Sequence, residues 1–115
     1  MNNIIEVSSP LTYKVVCTNE QWNNHILGNH PNMKNRERLV ADCISNPLVV
    51  YQSDGFPNRD VYFAESRIIN DKLKYVKVIV ENDNAENAHV VSAWMQPKIA
   101  GNISKGAMKY VKSKL

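Results

Sequence analysis

Near residue 46 the hydrophobic pattern changes period, and that change restricts the fold more than any other feature. Over residues 22–45 the apolar side chains recur at helical spacing; from residue 48 they run in short β-branched blocks separated by turn residues. Met33, Leu39, Val40, Cys43 and Ile44 share one face of a predicted helix, which Asn46-Pro47 closes. An earlier helix is predicted after Thr18, which with Gln21 has the form of a capping box. Trp22, Ile26 and Leu27 line its apolar side, and Gly28 is placed to end it. His30 precedes Pro31, which disfavours helical backbone at His30. Before these helices, residues 11–17 read as a strand or an extended arm.

Four strands are predicted at 48–51, 59–64, 73–80 and 88–95, with Val76, Val78 and Val80 facing one way. Turn-rich residues 53–58, the Asn70-Asp71 turn and the polar run 81–87 separate them. Short links between consecutive strands imply an antiparallel meander. The expected fold is therefore α+β: two N-terminal helices packed on one face of a four-stranded antiparallel sheet. The 115 residues suffice for one core. Residues 1–102 are expected to form a single domain, and 103–115 a basic C-terminal tail or short helix, since Met108, Val111 and Leu115 recur at near-helical spacing.

Charge is unevenly distributed. Residues 1–96 hold nine basic and eleven acidic side chains, net −2, whereas Lys98, Lys105, Lys109, Lys112 and Lys114 follow without a single acid. Such a one-signed segment suits a polyanion such as RNA, or is a solvated tail. No apolar run approaches the ~20 residues that span a bilayer. The N-terminus lacks the basic and apolar regions of a signal peptide, so a cytoplasmic location and no membrane partner are expected. Cys17 and Cys43 are too few and too far apart for a disulfide framework or zinc ribbon. They read as buried reduced thiols, with a Cys–His nucleophile as the alternative.

Walker A, GxSxG, HExxH and GxGxxG patterns are all missing, and the carboxylates do not cluster as a two-metal site would require. Histidine, arginine and hydroxyl groups are left to carry any chemistry. His25 and His30 flank the break at Gly28 and Pro31, where two imidazoles can come together as base and acid; packed or turn roles are the bland alternative. Arg59 opens a strand and can bind phosphate through its planar fork, and Ser92 offers a hydroxyl on another strand. Tyr62 and Trp94 are either sheet-face residues or stacking platforms for bases.

Taken in order, several segments form a serial pattern: the run 22–33 with its two histidines, then Ile44-Ser45-Asn46-Pro47, then Arg59-x-x-Tyr62-Phe63, then the valine strand, then Val90-Val91-Ser92-Ala93-Trp94. This pattern resembles the phage-associated barnase/EndoU/colicin/RelE-like nuclease domains, the phage and polymorphic-toxin branch of the BECR superfamily, over about residues 12–98. Ser92 stands where that family usually has Thr, Trp94 where it has Tyr, and the Gly55-Phe56-Pro57 loop is a local departure.

The resemblance implies a barnase-like fold and a toxin-like, metal-independent endoribonuclease. RNA would be cleaved by its own 2′-hydroxyl to a 2′,3′-cyclic phosphate, with no metal and no cofactor. It implies His25, His30, Arg59 and Ser92 as the catalytic set. Tyr62, Lys98, Lys105, Lys109 and Lys112 are the expected RNA contacts. RNA is the expected partner, with a cognate immunity protein or antitoxin as a second; oligomeric state is left open. The competing readings are a non-catalytic RNA- or protein-binding module on the same scaffold, or a chain that is itself an antitoxin or immunity protein. Space discriminates between them: if His25 or His30, Arg59 and Ser92 converge in one cleft around a phosphate-sized site the enzyme reading gains, and if they scatter it fails.

Overall fold

The computed structural model describes residues 2–66, 72–83 and 87–113, with the backbone alone at Lys105 and Gly106. The Asn70-Asp71 turn, Lys114 and Leu115 lie outside the described residues.

Strands β1 (Asn3–Ser8) and β2 (Lys14–Thr18) form an antiparallel hairpin whose turn places Thr12 at φ 72°. The chain then turns helical at Asn19. The backbone N–H of Gln21 donates to Thr18 Oγ1 at 3.0 Å, so the threonine caps as its spacing predicts. Gln21–Ile26 has π geometry, with the Leu27 N–H reaching back to Trp22 O, and a last turn α1 (Leu27–Asn29) follows. Gly28 is therefore inside the helix and not its C′ residue. The end comes at His30, whose extended backbone (φ −136°, ψ 74°) is the conformation Pro31 selects. Pro31–Met33 is a 3₁₀ turn, Asn35 takes φ 67°, and α2 (Glu37–Ser45) carries the predicted stripe, with Val40, Cys43 and Ile44 buried.

The remaining strands are β3 (Val49–Ser53), β4 (Arg59–Glu65), β5 (Tyr75–Asn82), β6 (Asn87–Gln96) and β7 (Ile103–Val111). All seven belong to one sheet, ordered β1-β2-β6-β5-β4-β3-β7. The β3-β4-β5-β6 meander is antiparallel, as expected. The four-stranded antiparallel sheet is nonetheless incorrect as a description of the fold. The N-terminal hairpin joins β6 through a parallel pair, Lys14–Val16 against Asn87–His89, and β7 adds to the far edge beside β3. The sheet is thus mixed and dominates the molecule, and the helices are short. Ile103–Val111, within the segment expected as a basic tail or short helix, is instead this edge strand. Met108 and Val111 do have near-helical spacing, but the main-chain pairing offered by β3 overrides that local signal.

The sheet is strongly curled. Flat, its seven strands would measure about 29 Å across at the usual ~4.8 Å spacing. Yet the turn of the edge hairpin touches β4 and, through it, β7 at the opposite edge. The Tyr13 hydroxyl donates to Asp60 Oδ2 at 2.7 Å, Lys109 Nζ donates to Asp60 Oδ1 at 2.7 Å, and the Tyr62 hydroxyl bonds both Tyr13 (2.6 Å) and Ser9. Inside the curl lie Trp22, Ile26, Met33, Val40, Cys43 and Ile44, packed on Val15, Val76, Val78, Val80 and Val90.

The outer face holds a second, smaller cluster of Val49, Val61, Phe63 and Ile79, with Trp94 and Ile99 against it. Since β6 and β7 are separated by three strands, residues 97–102 must cross this outer face. The crossing is anchored by Lys77, only 1% exposed, whose Nζ donates to Ala100 O (2.9 Å) and Asn102 Oδ1 (2.8 Å). Gly101 takes φ +84°, where an L side chain is strained, and a Cβ there would lie 2.9 Å from that Nζ and displace the ammonium.

Candidate functional site

On the outer face, register alone assembles one row of polar groups. Arg59 on β4 pairs with Glu81 on β5, and Glu81 pairs with His89 on β6. All three side chains point outward, because Asp60, Val80 and Ala88 beside them point into the curl. Arg59 Nε donates to Glu81 Oε1 at 2.9 Å. His89 lies between two carboxylates, Nε2 3.7 Å from Glu81 Oε2 and Nδ1 3.1 Å from Asp83 Oδ2. The hydrogen bond from Arg59 is the main cause holding the Glu81 carboxyl below its ordinary range, so it is ionised at neutral pH.

Arg59 is also held from its other side. Its guanidinium sits over the Phe56 ring, 4.1 Å from the centroid. The Gly55-Phe56-Pro57 loop that carries this ring is braced from below. The Gln52 side-chain amide lies 3.0, 3.2 and 3.1 Å from the carbonyl oxygens of Phe56, Pro57 and Arg59, and Asn82 N–H donates to Asn58 O at 2.8 Å. Nε is committed to Glu81, while the two terminal nitrogens of Arg59 make no hydrogen bond among the described residues, and the side chain is part-exposed. Glu81, Asp83 and His89 also offer three ligand atoms that all lie within 4.8 Å of one another, the spacing of a small metal site.

The four residues expected to act together do not meet. His25 is exposed, and His30 is half-buried and stacked on Trp94 with ring centroids 5.1 Å apart. Partial burial, and then the charge of His25, hold the His30 imidazole below its ordinary pKa. The ring contact His30 makes is with Trp94 and not with His25. Trp94 pairs with Lys77, four residues along β5 from Glu81, which is about 13 Å of strand. Ser92 lies between the groups, buried beside Ile79. His30 thus sits with Trp94, and Arg59 stands apart from them.

The expected RNA contacts divide similarly. Tyr62 is 0% exposed, and burial pushes its hydroxyl up to about 12, so its ring has no face for a base. Lys109 is bound to buried Asp60. Lys98 is exposed on the crossing segment and Lys112 at the mouth of a cleft between α2 and the β3–β4 edge, while the Lys105 side chain lies outside the described residues. Cys17 and Cys43 are buried free thiols, both pushed up by burial and unsuited to nucleophilic chemistry.

Sequence reasoning misses Glu81 and His89. The run 81–87 reads there as a polar loop, and only the β4–β5–β6 register reveals that Arg59, Glu81 and His89 are neighbours. The one signal in the sequence is an ionisable residue near the start of one strand, the end of the next and the start of the third, which an antiparallel meander brings to one end of the sheet. Comparison with known protein families, curated proteins and solved structures returns no match.

Proposed function

We propose that the chain is a toxin-like, metal-independent endoribonuclease acting on cytoplasmic RNA, with Arg59, Glu81 and His89 as its reacting groups. One observation carries this reading: a carboxylate, an imidazole and a guanidinium with free terminal nitrogens stand in one row on an open sheet face. RNA brings its own nucleophile. The Glu81 carboxylate accepts the proton of the 2′-hydroxyl as the 2′-oxygen attacks phosphorus. His89, oriented by Asp83, is the group that gives a proton to the departing 5′-oxygen. The terminal nitrogens of Arg59 bind the non-bridging oxygens and stabilise the charge that grows on them. A 2′–O–P bond forms, the P–O5′ bond breaks, and the products are a 2′,3′-cyclic phosphate and a 5′-hydroxyl.

The test is incubation of the purified chain with single-stranded RNA in excess EDTA, followed by end-group analysis. Cyclic-phosphate ends that are lost in Glu81→Gln support the reading. Cleavage abolished by EDTA transfers the chemistry to a cation held by Glu81, Asp83 and His89. RNA bound and left intact favours the second reading, a non-catalytic RNA-binding module, on whose side stands the separation of His30 from Arg59.

A further inference from the structure

We infer that Phe56 is a nucleobase-stacking platform beside the Arg59–Glu81–His89 row, which makes single-stranded RNA the substrate class; this inference rests on the function proposed above. Among the described residues three large hydrophobic side chains are exposed, and Phe56, at 49%, is the aromatic one. An isolated exposed apolar residue needs no explanation in general. Phe56 differs because it is held in place. Its loop is braced by the Gln52 amide, the turn is closed by Arg59 N–H donating to Phe56 O at 3.1 Å, and Gly55 adopts φ +82° to allow the bend. Arg59 covers one face of the ring at 4.1 Å, which leaves the opposite face and the edge for a partner.

The same guanidinium that sits on the ring reaches Glu81 at 2.9 Å and leaves its terminal nitrogens free. A phosphate bound by those nitrogens places an adjoining base within reach of the open ring face. Aromatic platforms of this kind select unpaired strands, because a paired base has its faces already stacked. The guanidinium on the far face adds a cation–π contribution that fixes the ring for its partner. The proposed selectivity is for strand state and not for sequence, since every base has a π-face.

The experiment measures binding with chemistry removed. Fluorescently labelled oligonucleotides carrying 2′-deoxy sugars, which have no attacking hydroxyl, are titrated as single strands and as the matching duplex against wild type, Phe56→Ala and Phe56→Trp. The expected result is a roughly five- to hundredfold loss of single-strand affinity in Phe56→Ala, the range given by one lost stacked base. Duplex affinity should change little. Phe56→Trp should keep the affinity, and its emission, after subtraction of the wild-type signal of Trp22 and Trp94, should be quenched on saturation. Single-strand affinity unchanged in Phe56→Ala, subtracted emission of Phe56→Trp indifferent to the bound strand, or no single-strand binding by wild type would each overturn the platform. Cleavage by wild type with unaltered binding in Phe56→Ala would reject the platform and keep the nuclease. Loss of binding in Phe56→Ala with no cleavage of RNA would do the reverse.

Discussion

In the proposed mechanism Glu81 is the residue on which the chemistry turns, because Arg59 keeps its carboxylate ionised and His89 lies beside it. Replacing it with Gln keeps the shape and removes the base. Cleavage in Glu81→Gln should fall by about 10²–10⁴, the usual worth of a general acid or base, and a single-turnover assay on a defined oligonucleotide reads this directly. Arg59→Lys should not preserve turnover, since an ammonium can neither fork to two phosphate oxygens nor cover the Phe56 ring. The depressed Glu81 pKa also has a stability consequence. A carboxyl whose folded pKa lies below its ordinary 4.5 contributes stability that is complete above that value and is lost as pH falls through the lower folded one. Urea midpoints from pH 3 to 6 should therefore drop less steeply in Glu81→Gln than in wild type. At this scale the sequence was half legible. Arg59 could be recognised as a phosphate-binding candidate from its place at a strand start. Glu81 and His89 could not, because which residues stand opposite one another is a property of register, and a one-residue slip would have sent both side chains to the other face.

The elements were more legible than their order. The Val76, Val78, Val80 alternation and the Val40, Cys43, Ile44 stripe each imposed a buried face, and both are buried as their periods require. What periodicity could not supply was the parallel β2–β6 pair or the route of residues 97–102, since neither leaves a local pattern. The crossing segment depends on Lys77, a lysine placed among Phe63 and Trp94, with its ammonium 5.7 and 4.9 Å from their ring centroids. Among the described residues no carboxylate pairs with it. Burial alone pulls its pKa down to about 8 from 10.5. The sign follows from proton binding. Between about pH 8 and 10.5 the unfolded chain holds the lysine proton more tightly than the folded one, so the contribution of Lys77 to stability should rise with pH as the folded group discharges. Cys17 and Cys43 act in the opposite sense over the same range, because burial raises their folded pKa values and their unfolded thiols ionise first. Lys77→Met, which keeps both thiols, isolates the lysine. Guanidinium midpoints should favour Lys77→Met at pH 7.5, because Ala100 and Asn102 are exposed and can exchange their lysine donor for water, and the gap to wild type should narrow by pH 9.5. A gap that widens with pH would mean that the ammonium gains more from the two rings and two oxygens than it loses by burial.

On the scale of the whole molecule, the curl of the sheet depends on a chain of hydroxyls and charges that joins the first hairpin to the last strand. Ser9 and Tyr13 belong to the turn between β1 and β2, Tyr62 and Asp60 to β4, and Lys109 to β7. Asp60 is 4% exposed and accepts from both sides, so each edge of the sheet satisfies one of its oxygens. Reading residues 103–115 as a basic tail implies that their deletion costs only non-specific attraction to RNA. With β7 in the sheet the consequence is different. Deletion strips the edge from β3, uncovers Tyr51 and Val49 where Met108 and Val111 pair, and leaves the Asp60 carboxylate without its cation. The truncated chain should lose cooperative unfolding altogether, as followed by far-ultraviolet circular dichroism in urea. A single substitution separates the charge from the strand. Lys109→Met keeps β7 and removes the cation, and should cost about 3 kcal/mol, the lower end for breaking one side of a buried pair, because Lys109 itself is partly solvated. Asp60→Asn in the same chain removes the stranded charge while its amide oxygen still accepts from Tyr13, so the double variant should recover part of the loss. Equal destabilisation in the single and double variants would show that Lys109 contributes packing along β7 and not a counter-charge, and that the two edges are drawn together by the apolar filling of the curl alone.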